Sequence, residues 1–151
     1  MELELLLLVR SIKISMEKLI AQIKLHEGYR ARVYADSLGI DTIGIGFAIK
    51  DLELSEEVCD IILKEKLVDL YSRVKRKFPF FEKLPEEIQD VLLNMCYQMG
   101  VTGVSKFKKM LAAMKAGDWT EAADQALDSR WAKQTPHRAK ELSDIVRNYS
   151  D

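Results

Sequence analysis

The segment from His26 to Gly46, HEGYRARVYADSLGIDTIGIG, limits the possible folds more than any other part of the chain. Before it, apolar residues recur at helical spacing until Gly28 ends the helix, namely Leu19, Ile20 and Ile23. After it, residues 32–35 and 41–46 have strand-forming sequences, and residues 37–39 supply a turn. The segment therefore predicts a helix that ends at Gly28 and is followed by a β-hairpin.

This segment also places Glu27, Asp36 and Thr42 at Glu-x8-Asp-x5-Thr spacing. Glycoside hydrolysis needs one acid that protonates the leaving oxygen and one ionised carboxylate on the other side of the sugar. At the end of an apolar helix Glu27 can be partly withdrawn from water, which favours the protonated acid, whereas Asp36 beside a polar turn stays charged. On spacing alone, ordinary roles are the more common explanation: a helix end, a turn former and a strand residue.

The composition is that of one soluble globular domain, because 151 residues with 48% hydrophobic and 31% charged content can bury a core. Residues 1–69 carry 9 Lys and Arg against 13 Asp and Glu, and residues 70–151 carry 14 against 11. The mildly basic second part suits an anionic polymer, although such a surplus is usually only a solvated face. Basic residues at 73 and 75–77 suit a helix C-terminus, so we predict no nucleic-acid partner.

Cysteine and histidine usage predicts neither a metal site nor another cofactor. Cys59 and Cys96 both fall on apolar helix faces, so we expect two free, buried thiols. His26 and His137 are far apart in sequence and lack ligand-type spacing.

The N-terminal residues 1–15 contain an apolar run from Leu5 to Val9 between charged residues. The run is shorter than the roughly 20 residues that span a bilayer, so no stable membrane span is predicted. It also lacks the charged start and cleavage site of a secretory signal. Residues 1–15 remain open to two interpretations, an extension or an additional helix.

The rest of the chain has the signals of a helical region. One long helix begins after the N-cap Ser55 and runs to about Lys77, with an apolar set at helical spacing: Val58, Ile61, Ile62, Leu67, Leu70, Tyr71 and Val74. Further helices are predicted from Pro85 to Gly100, from about Val104 to Ala116, after the cap Asp118 with Trp119, Leu127 and Trp131 in the core, and from Thr135-Pro136 to about Tyr149. We therefore predict an α+β protein with a hairpin lobe and a larger helical lobe.

The active-site pattern resembles that of the phage T4-type lysozymes, the muramidases of glycoside hydrolase family 24. Two further segments are similar, in order, to signature segments of that family's helical lobe: residues 94–107, NMCYQMGVTGVSKF, and residues 118–140. The resemblance implies an N-terminal extension (1–15) before a lysozyme-like domain (16–151). Within that domain it implies a catalytic hairpin lobe (16–54), a connecting helix (55–77) and a helical lobe (78–151), with substrate between the lobes.

By this resemblance Glu27 is the general acid, Asp36 aids water attack or stabilises the transition state, and Thr42 is its partner. Substrate-contact positions of the family fall on five residues, Tyr97, Gln98, Gln125, Ala48 and Met110, of which the last two differ in type from the family's residues. Phe47 replaces a histidine of the family. The resemblance also places Arg138 beside Glu27, where a guanidinium can hold and orient the acid.

The function implied is that of an endolysin which hydrolyses the β-1,4 bond between N-acetylmuramic acid and N-acetylglucosamine in peptidoglycan and lyses the host. Such an enzyme waits in the host cytoplasm as a monomer, depends on a separate pore-forming holin, and acts on the wall in the periplasm. Two alternatives are a lytic transglycosylase, which uses one acid and no second carboxylate, and an inactive wall-binding module. The presence of Asp36 and Thr42 favours the hydrolase.

Overall fold

The computed structural model describes residues 2–151, and for residues 6, 7 and 9–15 it describes the backbone alone. Seven α-helices are described: α1 (Glu2–Glu27), α2 (Glu56–Lys77), α3 (Glu86–Ser105), α4 (Lys108–Ala116), α5 (Trp119–Leu127), α6 (Arg130–Gln134) and α7 (Pro136–Arg147). Three strands form one sheet: β1 (Arg30–Ala35), β2 (Asp41–Gly44) and β3 (Phe47–Ala48). Short 3-10 turns lie at Ile49–Asp51 and Phe81–Lys83. The predicted α+β class is confirmed.

The chain folds as two compact units. The first ends at Ser55 and contains α1 and the sheet. The second, Glu56–Asp151, contains α2 to α7. The long helix α2 therefore belongs to the same compact unit as the other helices of the C-terminal region.

In the first unit, α1 is longer than the helix predicted before Gly28. It runs without interruption for 26 residues, so residues 2–15 extend it rather than forming a separate element. Gly28 ends it with a φ of +73° and an N–H that donates to the Lys24 carbonyl at 2.8 Å, which is the usual role of glycine after a helix. The leucines Leu3, Leu5 and Leu8 are all exposed on this helix.

The predicted hairpin is present as β1 and β2, and β3 extends it to an antiparallel meander in the order β1-β2-β3. Thr42 on β2 pairs with Tyr34 on β1 and with Ala48 on β3, so it occupies the middle of the sheet. The register shifts between Arg30 and Tyr34, which marks an irregularity in β1. Thr42 is only 4% exposed, whereas the strand residues beside it are partly or fully exposed.

The second unit holds every buried apolar side chain that the structure describes. Helices α4, α5 and α7 pack together, and α3 packs on both α2 and α7. The largest of the fully buried side chains in this core are Phe81, Ile88, Leu92, Met95, Met110 and Met114. Tyr71 and Phe81 form an edge-to-face pair with ring centroids 5.4 Å apart, so the aromatic residues after α2 help to close the core.

Two predictions of burial were wrong, those of Cys59 and Leu127. On α2 the helix bounds agree with the prediction, and of its apolar set only Leu70 and Val74 are buried. Cys59 is exposed, while Cys96 is buried as predicted, and both are free thiols. Leu127 is 39% exposed because α5 turns its alanines to the core instead. Helical spacing identifies an apolar face but does not establish what covers it.

Two predicted boundaries also differ. Gly100 interrupts α3 with φ 79° and ψ 159°, as its predicted role as a helix end requires, yet helical backbone resumes at once and Val104 belongs to this same element. The next helix starts only at Lys108. Thr135 precedes α7 with Pro136 at the first helical position, but its hydroxyl donates to the Trp131 carbonyl at 3.2 Å and does not cap α7.

No helix among the described residues has both the length and the apolarity needed to cross a membrane.

Candidate active site

Glu27 is the last residue of α1 and lies against the turn that joins β2 to β3. Gly46 in that turn has a φ of +70°, and a Cβ atom at this position would lie 2.6 Å from Glu27 Oε2. Glycine therefore lets the turn approach the carboxylate closely, and a side chain at this position would displace it. Glu27 is exposed, so its own unit does not provide the partial burial that the apolar helix suggested.

Asp36 follows β1 and is held by its own turn. Its Oδ1 atom accepts hydrogen bonds from the backbone N–H groups of Leu38 at 2.8 Å and Ile40 at 2.9 Å. The Gly39 N–H donates to the Asp36 carbonyl at 3.0 Å, which closes the same turn. This is the local side-chain to backbone bonding that aspartate favours in turns. Oδ2 has no hydrogen-bond partner among the described residues and can face a ligand.

Thr42 is connected to Asp36 through Ile40. The Thr42 hydroxyl donates to the Ile40 carbonyl at 2.8 Å, and the Asp36 N–H donates to the same carbonyl at 3.0 Å. The Ile40 N–H in turn binds Asp36 Oδ1. One peptide segment therefore sets the position of both side chains. Because the Thr42 hydroxyl proton is already donated, its oxygen can only accept a bond from a bound water.

Tyr97 lies on α3 and lines a surface pocket of about 610 Å³ together with Tyr71, Asn94 and Arg138. Its ring is 50% exposed and is free to contact a ligand. In the same pocket Arg138 donates three hydrogen bonds to Asn94: Nε to Oδ1 at 2.9 Å, Nη2 to Oδ1 at 2.6 Å and Nη2 to the carbonyl at 3.3 Å. The predicted contact of Arg138 with Glu27 stays a prediction.

Met110 and Gln125 line a second pocket of about 530 Å³, which we call the Met110 pocket. Met110 is 1% exposed and forms part of the buried core, while the Gln125 amide donates to Glu121 at 2.8 Å. Gln98 accepts a 2.8 Å hydrogen bond from the indole nitrogen of Trp131, which also lines this pocket. The structure thus brings Met110 and Gln125 together and connects Gln98 to the same wall.

Ala48, the remaining predicted contact residue, lies in the first unit on β3 and is half-buried beside Thr42. Its backbone pairs with the strand that carries Thr42, so it supports the sheet near that residue. A methyl side chain offers shape and no hydrogen bond.

No cluster of three or more potential metal ligands is found among residues 2–151 where side chains are described. Burial raises the pKa of the Cys96 thiol from 9.0 to about 12, against the opposing effect of the Arg73 charge. The thiol therefore stays protonated near neutral pH and is a poor nucleophile.

Comparison with known proteins identifies the family of this chain. The family model described as phage lysozyme matches residues 24–148, which include Glu27, Asp36 and Thr42. The chain belongs to the phage lysozyme family. A lysozyme of this family is a glycoside hydrolase whose substrate is peptidoglycan, and the predicted enzyme class is confirmed. The matched region begins three residues before Glu27 and leaves out most of α1.

Three relatives of this lysozyme show the extent of the similarity. The pre-baseplate central spike protein Gp5 of Enterobacteria phage T4 is 32% identical over 80% of this chain, which spans only 26% of that protein. Probable T4-type lysozyme 2 of Dictyostelium discoideum is 30% identical, with 82% of this chain and 89% of that protein covered. Probable T4-type lysozyme 1 of the same organism is 26% identical, with 82% and 90% covered.

Sequence reasoning missed four residues of this lysozyme that hold the predicted site residues in position. Ile40 aligns Asp36 with Thr42 through its backbone N–H and carbonyl, which any residue except proline can supply, so no side-chain signal exists. Gly46 had a signal in the glycine-rich end of the hairpin segment. Asn94 binds Arg138 and Trp131 binds Gln98 across 44 and 33 positions of sequence, which spacing arguments do not reach.

Proposed function

We propose that this lysozyme is an endolysin that hydrolyses the β-1,4 bond between N-acetylmuramic acid and N-acetylglucosamine, with Glu27 and Asp36 as its two catalytic carboxylates. The main support is the hairpin. Its first turn holds Asp36 by one oxygen and leaves Oδ2 unpaired among the described residues, and its second turn lies against the Glu27 carboxylate. Two carboxylates with different surroundings are what glycoside hydrolysis requires.

In the proposed reaction, Glu27 gives its proton to the glycosidic oxygen as the bond from that oxygen to C1 breaks. The positive charge that develops on the sugar is stabilised by the ionised Asp36. A water adds its oxygen to C1 and gives a proton to a carboxylate, so that the products are a new reducing end and a free hydroxyl. Thr42 accepts a hydrogen bond from this water, since its own proton is donated to Ile40.

The remaining predicted residues bind and orient the substrate in this proposal. Tyr97 supplies an exposed ring against which a sugar can stack, and Gln98 acts by holding Trp131 in the wall of the Met110 pocket. Gln125 offers an amide to the substrate, while Met110 and Ala48 contribute shape alone. Arg138 is held by Asn94, and its charge-assisted orientation of Glu27 stays a prediction.

The biological role that we propose is host lysis. The enzyme would accumulate in the host cytoplasm as a monomer and reach the wall in the periplasm only after a separate holin opens the inner membrane. The route to the wall is tested by expressing the enzyme in cells with and without a holin and recording the turbidity of the culture. Lysis without a holin would refute this dependence.

The catalytic assignment is tested with permeabilised Gram-negative cells and purified sacculi, followed by product analysis. Glu27→Gln keeps the shape of the side chain without its proton, so we expect a loss of about 10²- to 10⁴-fold in kcat. Asp36→Asn should be inactive, and Asp36→Glu weak, because a methylene displaces the carboxylate. Melting curves identify variants that fail to fold.

The products separate the candidate activities. Reducing ends support the hydrolase, whereas anhydro-sugars would show a lytic transglycosylase. Binding to sacculi without any product would show an inactive wall-binding module. Near-normal activity of a folded Glu27→Gln protein would refute the role of Glu27.

A further inference from the structure

The Met110 pocket has an unusual concentration of positive charge at its mouth. Lys106 lines it from the end of α3, Lys108 and Lys109 from the start of α4, and Arg130 from the start of α6. We call these four exposed side chains the cationic rim. The single acidic residue among the lining residues is Asp128.

The rim charges are not balanced by neighbouring carboxylates. Among the side chains that the structure describes, none of the four cations takes part in an ion pair, whereas four other basic residues of this unit do. The unit as a whole, residues 56–151, carries 16 basic and 16 acidic residues. The rim is therefore a local excess of positive charge, because the unit as a whole has no net charge from these residues.

Helix stability does not explain these positions either. Lys108 and Lys109 occupy the first turn of α4, where no acidic residue is present and Phe107 gives no side-chain cap. Cations in a first turn oppose the helix dipole. An anion bound at the mouth of the pocket would offset this cost.

The wall behind the rim is aromatic. Phe107 contacts Trp131 edge to face, with ring centroids 6.2 Å apart, and Gln98 holds the indole by its hydrogen bond. Gln125 adds a polar group to the same wall. A ligand for this pocket would have an uncharged part that contacts the rings and a negative group that reaches the rim.

We propose that the cationic rim binds the free carboxylates of the peptide carried by muramic acid, so that this lysozyme recognises the charged substituents of its substrate as well as the glycan. The proposal rests on the proposed function and adds a group of specificity-determining residues to it. The sugar and the peptide backbone would occupy the pocket, and the exposed lysines would bind the carboxylates of the peptide outside it. The rim contacts no reacting atom and should act on substrate binding.

The test uses two variants of the full chain with the same change of charge. In the rim variant Lys106, Lys108, Lys109 and Arg130 are all changed to Gln. In the control variant four residues outside the pocket are changed to Gln: Arg76, Lys77, Lys83 and Lys115. These four are also exposed and belong to no ion pair among the described side chains. Melting curves establish that both variants fold.

Two preparations of Gram-negative sacculi serve as substrate, because these walls have peptide carboxylates and no phosphate polymers. One is untreated, and in the other the carboxylates are converted to amides. We expect the rim variant to raise KM on untreated sacculi by about tenfold at low salt with kcat within twofold, and to weaken the salt dependence of kcat/KM. On amidated sacculi, wild type and rim variant should have the same KM.

An equal rise of KM in the control variant would overturn the proposal, because net charge alone would then be responsible. A KM difference between wild type and rim variant that persists on amidated sacculi would also overturn it. As a further comparison, walls that contain phosphate polymers are assayed before and after those polymers are removed. A rim effect present only before removal would assign the site to phosphate instead. Cosedimentation with sacculi measures binding directly, so failure of the hydrolase assignment would appear as absent product and would leave the test of the rim intact.

Discussion

Gly46→Ala should damage catalysis more than it damages the fold. A Cβ atom at this position would lie 2.6 Å from Glu27 Oε2 and 3.0 Å from Glu27 Cδ, whereas ordinary contacts begin at 3.4 Å. The carboxylate oxygen must therefore move by about 0.8 Å. This oxygen is the end of a flexible side chain, so the movement itself adds little to the cost in stability.

The cost to the fold comes mainly from the backbone. At a φ of +70° alanine is disfavoured by about 1–2 kcal/mol, which corresponds to a fall of about 2–8 °C in Tm for a chain of this size. The cost to catalysis is larger, because a displacement of about 1 Å at a reacting group can reduce the rate by about 10²-fold. We expect kcat on sacculi to fall by about 10- to 100-fold with KM within about twofold.

Gly117→Ala is the matched control. Gly117 has a φ of +74° at the end of α4, and its Cβ would contact only Trp119, at 4.0 Å. It should lose the same stability as Gly46→Ala and keep its activity. Equal kcat values for the two variants, measured well below both Tm values, would show that the turn does not position Glu27.

Three further predictions concern stability and the thiols. Ser143→Ala should raise Tm by about 2–4 °C, because this buried hydroxyl has no partner among the described residues. Ser129→Ala, the control, should lower Tm because that hydroxyl caps α6. An unchanged or lower Tm for Ser143→Ala would contradict the prediction. A thiol reagent at pH 8 should label Cys59 and spare Cys96 until unfolding. Because the pKa of Cys96 rises from 9.0 to about 12 on folding, its unfolded thiol loses its proton first and stability should fall as pH rises from 9 towards 12, less steeply in Cys96→Ala. A chain that begins at Met16 should still fold and hydrolyse walls, since the described leucines before it are exposed and the family match starts at residue 24; a fall in Tm of more than about 8 °C would show that the missing turns belong to the fold.

Features that depend on residues close in sequence were predicted better than features that depend on distant parts of the chain. Local signals predicted α2 well, because the acidic start and the basic end of a helix lie within its own sequence. The Asp118 cap was also correct, since its carboxylate accepts from the Glu121 N–H three residues later. The burial of Cys59 on α2 was predicted wrongly, because burial depends on which other elements cover the helix.

The candidate site shows the same limit. The residue types and spacing of Glu27, Asp36 and Thr42 fit a glycosidase, but on spacing alone ordinary roles were the more common explanation, and the resemblance to a known family decided between them. The positioning of these residues depends on backbone groups, which all residues except proline supply. The two backbone hydrogen bonds that Ile40 makes with Asp36 and Thr42 could therefore not be derived from residue type alone. The same holds for the close approach of Gly46 to Glu27.

The two carboxylates are positioned in different ways, and this difference bears on the mechanism. Asp36 is held by two N–H groups within four residues of itself, so its orientation survives as long as one short turn is intact. Glu27 has no such bond among the described residues of its unit, and the Gly46 turn limits it only by contact. A general acid must approach the leaving oxygen and then take up a proton again, so some freedom of the side chain is useful to it. A carboxylate that stabilises positive charge acts best when it is fixed in advance, because no reorganisation is then needed during the reaction. In the mechanism that we propose, the rigid carboxylate has the electrostatic role and the less constrained one transfers the proton.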